Sequence, residues 1–300
     1  MNQTIRFSAI SFFFFLLFSC QTLPPTPTEP IKIEPPPAPP PKVALVLGGG
    51  AARGFAHVGV IRILEKEKIP IDMVVGTSVG AFVGAIYASE MNSFQLEWLA
   101  YQITQEDIFD FSLVYSKMGP VQGEKLEEFI RTKLKVKNLE ELKLPFYPIA
   151  TDLLTGETVT LEKGSIARAV RASSAIPGIF VPVKFAGRTL VDGGVTNNLP
   201  IEIARQKGAD IVIAINISEN VKNVQIESVV DIILQSVNIM GNELLKYKKQ
   251  GMDILIEPRV GDVKMMDFSQ KKKCIEEGMK ATQEALPLIR QKLDHWMKKS

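Results

Sequence analysis

From Lys42 onward the chain alternates short apolar, β-branched runs with longer stretches of helical period. Val43–Leu47 is apolar at every position and too short for an independent helix, so it reads as a strand buried on both faces. After a glycine-rich turn, the apolar positions Phe55, Val58, Ile61, Ile63 and Leu64 predict a helix running to Lys68. Residues 73–75 form a second strand pattern, which enters Gly76-Thr77-Ser78-Val79-Gly80 and then a helix of small and apolar residues to Ala88. Further strands are expected at 147–150, 158–161, 189–191, 211–217 and 253–256, with helices at 166–172 and from about 269 to 297. The stretch 94–144 reads as helix-rich, a cap over the sheet. Strands alternating with helices predict a mostly parallel sheet covered on both faces. No internal repeat breaks residues 43–300, which read as one domain.

The N-terminal pattern is of another kind. Arg6 precedes an apolar run over residues 10–18, too short to span a bilayer but of the length of a secretory signal. The run ends in Leu17-Phe18-Ser19-Cys20, which resembles a bacterial lipobox, with Phe18 bulkier than the residue usual there. Residues 1–19 are therefore expected to be a signal peptide and Cys20 the lipidated first residue of the mature chain. Residues 20–42 carry ten prolines between Pro24 and Pro41. Such a segment excludes helix and central strand, and predicts an extended spacer of roughly 3 Å per residue. A lipid-anchored protein of the cell envelope follows as the expectation. Gln21, in place of the aspartate that retains some lipoproteins at the inner membrane, favours the outer membrane.

Composition narrows the partners. A net charge of +2 and the lack of any nucleic-acid motif set DNA and RNA aside. With Cys20 consumed by lipidation, Cys274 is a lone thiol and no disulfide is expected. No ligand cluster of metal-site spacing is visible, and neither a metal nor a cofactor is expected.

Gly76-Thr77-Ser78-Val79-Gly80 matches G-x-S-x-G between a strand and a helix. A serine on so sharp a turn needs flanking glycines such as Gly76 and Gly80, because a Cβ there would meet neighbouring backbone. A tight turn with a helix-capping serine is the competing reading. Gly48-Gly49-Gly50-Ala51-Ala52-Arg53-Gly54 also joins a strand to a helix. It lacks the Gly-Lys-Ser/Thr end of a nucleotide P-loop. It also lacks the third glycine and the later acidic residue of a dinucleotide site. What remains is an oxyanion hole of backbone N–H groups, or a loop that only packs a helix. The base is less legible. His57 lies one turn into a helix and His295 near the C-terminus of another, and both read first as structural. Asp192, before Gly193 and Gly194, stands at a strand end, where Asp-Gly is most often a turn.

Together the glycine loop ending in Arg53-Gly54, the Ser78 turn and Asp192-Gly193-Gly194 resemble the patatin-like phospholipase family, in that family's order. Ala52 through Val60, Ala150-Thr151-Asp152-Leu153, Ala172-Ser173-Ser174-Ala175-Ile176-Pro177 and Asn197-Asn198-Leu199-Pro200 resemble its bacterial branch. The resemblance implies a three-layer α/β/α fold and lipid acyl ester substrates. By position it makes Ser78 the nucleophile and Asp192 the base. Gly48, Gly49, Gly50 and Ala51 then form the oxyanion loop, with Arg53 supplying charge or anchorage. Ala51 stands where many members have glycine; it keeps the N–H but narrows the backbone angles. Two alternatives remain at this point: a Ser–Asp–His hydrolase using His295, and a catalytically silent, membrane-tethered binding protein.

Overall fold

In chain order the elements are β1 (Val43–Leu47), α1 (Phe55–Lys66), β2 (Met73–Thr77), α2 (Val79–Glu90), α3 (Ser93–Gln102), β3 (Phe111–Ser116), β4 (Gly119–Val121) and α4 (Glu124–Lys133). They continue with β5 (Phe146–Asp152), β6 (Thr158–Thr160), α5 (Ile166–Ser173), β7 (Val183–Phe185), β8 (Arg188–Asp192), α6 (Ile201–Gln206), β9 (Ile211–Ile215), α7 (Val229–Lys248), β10 (Ile254–Ile256) and α8 (Lys271–Lys299). The computed structural model describes residues 39–116, 119–218, 226–227, 229–248 and 251–299. The expected signal peptide, Cys20 and most of the proline-rich segment lie outside the described residues. So does the whole of the unit Met1–Pro37; the described residues all belong to the unit Ala38–Ser300.

The main sheet has the order β10-β9-β1-β2-β5-β8-β7, with β6 paired to β5. The strands from β10 to β5 are parallel, while β8, β7 and β6 run antiparallel to their neighbours. β1 is apolar throughout because both of its faces are covered. Val43, Leu45 and Leu47 join a core that includes α1, α2 and α8, while Ala44 and Val46 join a second core with α6 and Leu245. This is the three-layer α/β/α arrangement.

The strand register sets the site. β1 and β2 are parallel neighbours, so their C-terminal turns leave the same edge of the sheet. Thr77 is level with Ile149 of β5, and the next residue of β5, Ala150, pairs with Asp192 of β8. Ser78 and Asp192 therefore reach the same level on either side of β5.

The expected strands and helices appear with their ends moved by a few residues. Two features differ from the sequence reading. The stretch 94–144 holds α3 and α4 but also the antiparallel hairpin β3–β4. The helix α7 was not expected, although its sequence carries a helical contrast like that of α1. Cys274, the free cysteine among the described residues, is buried in α8.

α8 packs on α1 through two glycines. A Cβ on Gly59 would come within 2.0 Å of the Ile275 carbonyl oxygen, and one on Gly278 within 2.1 Å of the Ala56 carbonyl oxygen. Neither obstacle is a flexible side chain, so the helices would have to part. Gly278→Ala is expected to destabilise the domain by about 1–3 kcal/mol, read as a lower urea midpoint, despite the gain in helix propensity.

Candidate active site

Ser78 sits between β2 and α2 with φ 55° and ψ −123°. For a residue with a side chain this conformation costs on the order of 1–3 kcal/mol, and only a surrounding structure that over-determines it keeps it. Here three contacts do so. The Ser78 N–H donates to Ser173 Oγ at 3.0 Å, and Ser173 Oγ donates in turn to the Ile149 carbonyl at 2.5 Å. Thr77 Oγ1 donates to the Asn197 carbonyl at 3.0 Å. Gly80 lets α2 approach so closely that a Cβ there would lie 2.1 Å from the Leu47 carbonyl oxygen, and one on Gly76 would lie 2.5 Å from the Gly80 carbonyl oxygen. The turn therefore places Ser78 at the start of α2, where the helix dipole favours developing negative charge.

The glycine loop lies beside this turn. Its backbone N–H groups are unequally engaged. That of Gly48 donates to the Ile215 carbonyl at 3.1 Å, that of Gly49 to Asn198 Oδ1 at 3.2 Å, and that of Arg53 to the Gly50 carbonyl at 3.2 Å. Among the described residues, the N–H groups of Gly50 and Ala51 have no acceptor, and these two are left for a ligand. Asn198 also donates through Nδ2 to the Gly49 carbonyl at 3.3 Å, so it clamps that peptide from both sides. Ala51 takes φ 48°, in the left-handed region where an alanine is tolerated with strain. Arg53 is fully buried, with Nε donating to the Gly50 carbonyl, and so acts as the anchor of the loop. Gly54 is required by contact, since a Cβ there would collide with the Val79 side chain. His57, also fully buried, donates through Nε2 to the Gly48 carbonyl at 2.8 Å. Burial lowers its pKa to about 4, against the pull of that hydrogen bond, so it is a neutral strut under the loop.

Asp192 is buried at the end of β8. Its Oδ1 accepts the Gly194 N–H at 2.7 Å, while Oδ2 has no hydrogen-bond partner among the described residues. Burial raises the carboxyl from 3.8 to about 6, and the Gly194 N–H and the Ser78 hydroxyl pull it back only in part. Ser78 is thus near enough to bias the carboxylate, without a closed hydrogen bond to Oδ2. Gly193 is held against the Ile149 carbonyl, 2.4 Å from where a Cβ would stand, which keeps the turn after Asp192 tight.

Two cavities meet at Ser78. One, of about 90 Å³, is almost wholly apolar and runs among Phe55, Phe82, Ile86, Leu96, Phe109 and Phe180. Its aromatic walls brace one another, with Phe109 and Phe180 5.4 Å apart and Phe55 and Phe268 5.6 Å apart in an edge-to-face pair. The other, of about 50 Å³, is smaller and more polar. It is bounded by Gly50, Ala51, Asp192 and Asn198, and roofed by Leu234, Val237 and Asn238 of α7.

His295 lies exposed on α8 and lines neither cavity. The aspartate of Ala150-Thr151-Asp152-Leu153 is structural: Asp152 accepts from the Leu154 N–H and pairs with Arg188 at 3.0 Å. Sequence reasoning quoted the motifs containing Ser173 and Asn198 but gave these two residues no role. Among the described residues no cluster of His, Cys, Asp and Glu is placed to hold a metal. No helix among them is long and apolar enough to cross a membrane.

The pattern described as Patatin-like phospholipase matches residues 45–205, more than half of the chain, and takes in the glycine loop, Ser78 and Asp192. The chain belongs to the patatin-like phospholipase family. Patatin-like phospholipase domain-containing protein 6 of Homo sapiens is 39% identical over 184 residues, covering 58% of this chain and 13% of that protein. An uncharacterized NTE family protein of Mycobacterium tuberculosis is 38% identical over 180 residues, covering 59% of this chain and 49% of its own length. The chain thus spans less than half the length of these relatives. Among solved structures, VipD from Legionella pneumophila superposes with a TM-score of 0.56 at 16% identity, over 85% of this chain and 67% of that one, a likeness of fold. Membership makes this a domain of a lipid-hydrolase family.

The raised carboxyl of Asp192 has a consequence for stability that is separate from activity. Because its folded pKa of about 6 exceeds the ordinary 3.8, the folded state holds the proton more tightly, and stability is lost as pH rises between the two values. Asp192→Asn removes that penalty. The variant is expected to exceed the parent in stability by about 3 kcal/mol at pH 8, a gap that closes toward pH 4, in urea titrations at the two pH values.

Proposed function

We propose that this domain is a serine acyl hydrolase in which Ser78 attacks the acyl carbonyl of a lipid ester and Asp192 is the proton acceptor. The observation that carries the reading is the pairing of a strained serine with a buried aspartate, whose pKa is raised to about 6 and whose Oδ2 has no partner. A base poised near neutrality and within reach of the hydroxyl is what proton transfer to a carboxylate needs. The Gly50 and Ala51 N–H groups support the second requirement, stabilisation of the tetrahedral oxyanion.

In the first half-reaction the Ser78 Oγ–H proton passes to Asp192 as Oγ bonds to the acyl carbon, and the carbonyl oxygen takes the negative charge. Collapse of this intermediate breaks the ester C–O bond, and the leaving alcohol takes the proton from Asp192. In the second half-reaction Asp192 accepts a proton from water, whose oxygen attacks the acyl-enzyme, and Ser78 recovers its proton as the fatty acid departs. The apolar cavity suits the acyl tail, and the polar chamber suits the alcohol portion. Phospholipids, lysophospholipids and neutral acyl esters all fit that division. The exposed position of His295 favours the dyad over a Ser–Asp–His triad.

The N-terminal pattern supports a second part of the proposal. Residues 1–19 act as a signal peptide, Cys20 carries the lipid, and residues 20–42 tether the domain of residues 43–300 to an envelope membrane, the outer membrane being favoured by Gln21. Cys20→Ala is expected to abolish incorporation of radiolabelled palmitate into the chain in bacterial cells, and persistent labelling would remove the tether.

Hydrolysis of p-nitrophenyl esters tests the catalytic part. Ser78→Ala and Asp192→Asn are each expected to lower the rate by about a thousandfold or more, while His295→Ala stays within about twofold of the parent. Because the base must be ionised, the parent rate is expected to rise with pH through about 6 and then level. Activity that survives Ser78→Ala would refute the assignment.

A further inference from the structure

α7 presents two unlike duties on opposite faces. Its inner face, through Leu234, Asn238, Gly241 and Leu245, is buried, and the first three of these bound the polar chamber at Asp192. Its outer face exposes Val229, Ile232, Ile239, Met240 and Tyr247, with 71% of Val229 and 82% of Tyr247 open to solvent. Among the described side chains, Ser236, Glu243 and Lys246 interrupt that face with polar groups. A helix apolar on its solvent side as well as its packed side is not the composition of an ordinary surface helix. A contiguous exposed apolar face of this kind marks a docking site.

The chamber beneath α7 is narrow, with room for only a few waters at about 50 Å³. α7 forms the roof of this chamber, so outward movement of α7 widens the space beside Ser78. Its hold on the closed position is incomplete. Asn238 is buried, yet its Nδ2 has no partner among the described residues. A buried donor left unpaired penalises the closed arrangement.

We propose that the outer face of α7 docks on a lipid surface, and that its insertion draws the helix from the chamber so that a lipid can enter. The occupant follows from position: the same helix separates the site from its surroundings, and the substrate class of that site is a lipid ester. Burial of the apolar side chains in the acyl boundary supplies the driving force, as for helices that lie in the plane of a membrane. This inference rests on the proposed hydrolase reading for its substrate, and its test separates the two.

The full chain carrying Ile232→Ser, Ile239→Ser and Met240→Ser together is compared with the parent on dissolved p-nitrophenyl butyrate and on phosphatidylcholine vesicles. Both proteins keep the same N-terminal segment, so attachment through it cancels. The expected result is a rate on the dissolved ester within twofold of the parent and a vesicle rate at least tenfold lower. An unchanged vesicle rate overturns the proposal. A second measurement needs neither catalysis nor the triple variant. Ile239→Trp is placed in the Ser78→Ala full chain, and its emission is followed with vesicles of brominated-tail phosphatidylcholine. Quenching beyond that of Ser78→Ala alone supports insertion even if no hydrolysis is ever seen; its absence overturns docking while leaving the hydrolase reading intact. Self-association of the full chain in light scattering that the triple substitution abolishes, with no added quenching, would overturn the lipid assignment in favour of a second copy of this chain.

Discussion

The approach of α2 to the end of β1 is the constraint on which the rest of the site depends. Gly80 lies so near the Leu47 carbonyl that no side chain fits between them, and a Cβ on Gly76 would also collide with the Gly80 carbonyl. That contact fixes where α2 begins, and so fixes Ser78 in the left-handed conformation that lifts it above the sheet edge. The strain at Ser78 is sustained because its N–H and the preceding threonine hydroxyl are both bonded to other segments of the chain. The parallel pairing of β1 and β2 then places the glycine loop beside the serine without any further device.

Burial supplies the electrostatics. Asp192 is closed off from water at the end of β8, so its charged form is penalised and its pKa is raised to about 6. The same burial lowers the pKa of His57 to about 4. The residue type usually chosen as a base is thereby made a neutral support, and a carboxylate is brought into the range where a base is useful. One physical effect, acting on an acid and on a base with opposite sign, distributes the roles.

Much of this was legible in the sequence. β1 and β2 could be read because they are apolar at every position, and Ser78, Asp192 and the glycine loop because their glycines sit at strand ends. The hydrogen-bond bookkeeping was not legible. That Gly49 spends its N–H on Asn198 depends on two residues 149 positions apart, and nothing local to either announces the contact. The loop N–H groups without an acceptor among the described residues, proposed above as oxyanion donors, therefore narrow to Gly50 and Ala51 only once the fold is seen. Ser173 and Asn198 were visible as parts of motifs, but their work is to hold backbone, which leaves no chemical signature in a sequence. α7 was overlooked although its apolar positions keep a helical period, so the signal was present in the sequence and was not read. The hairpin β3–β4 lay in a stretch that read as helical because α3 and α4 flank it.

The central claim is that Ser78 is the nucleophile and Asp192 its base. Reaction of the folded chain with an alkyl fluorophosphonate, followed by peptide mass spectrometry across a pH series, addresses both halves at once. The account predicts a single adduct on the peptide containing Ser78, forming at a rate that rises with pH through about 6 and that collapses in Asp192→Asn. An adduct on another serine, or labelling of Ser78 at the parent rate in Asp192→Asn, would contradict it.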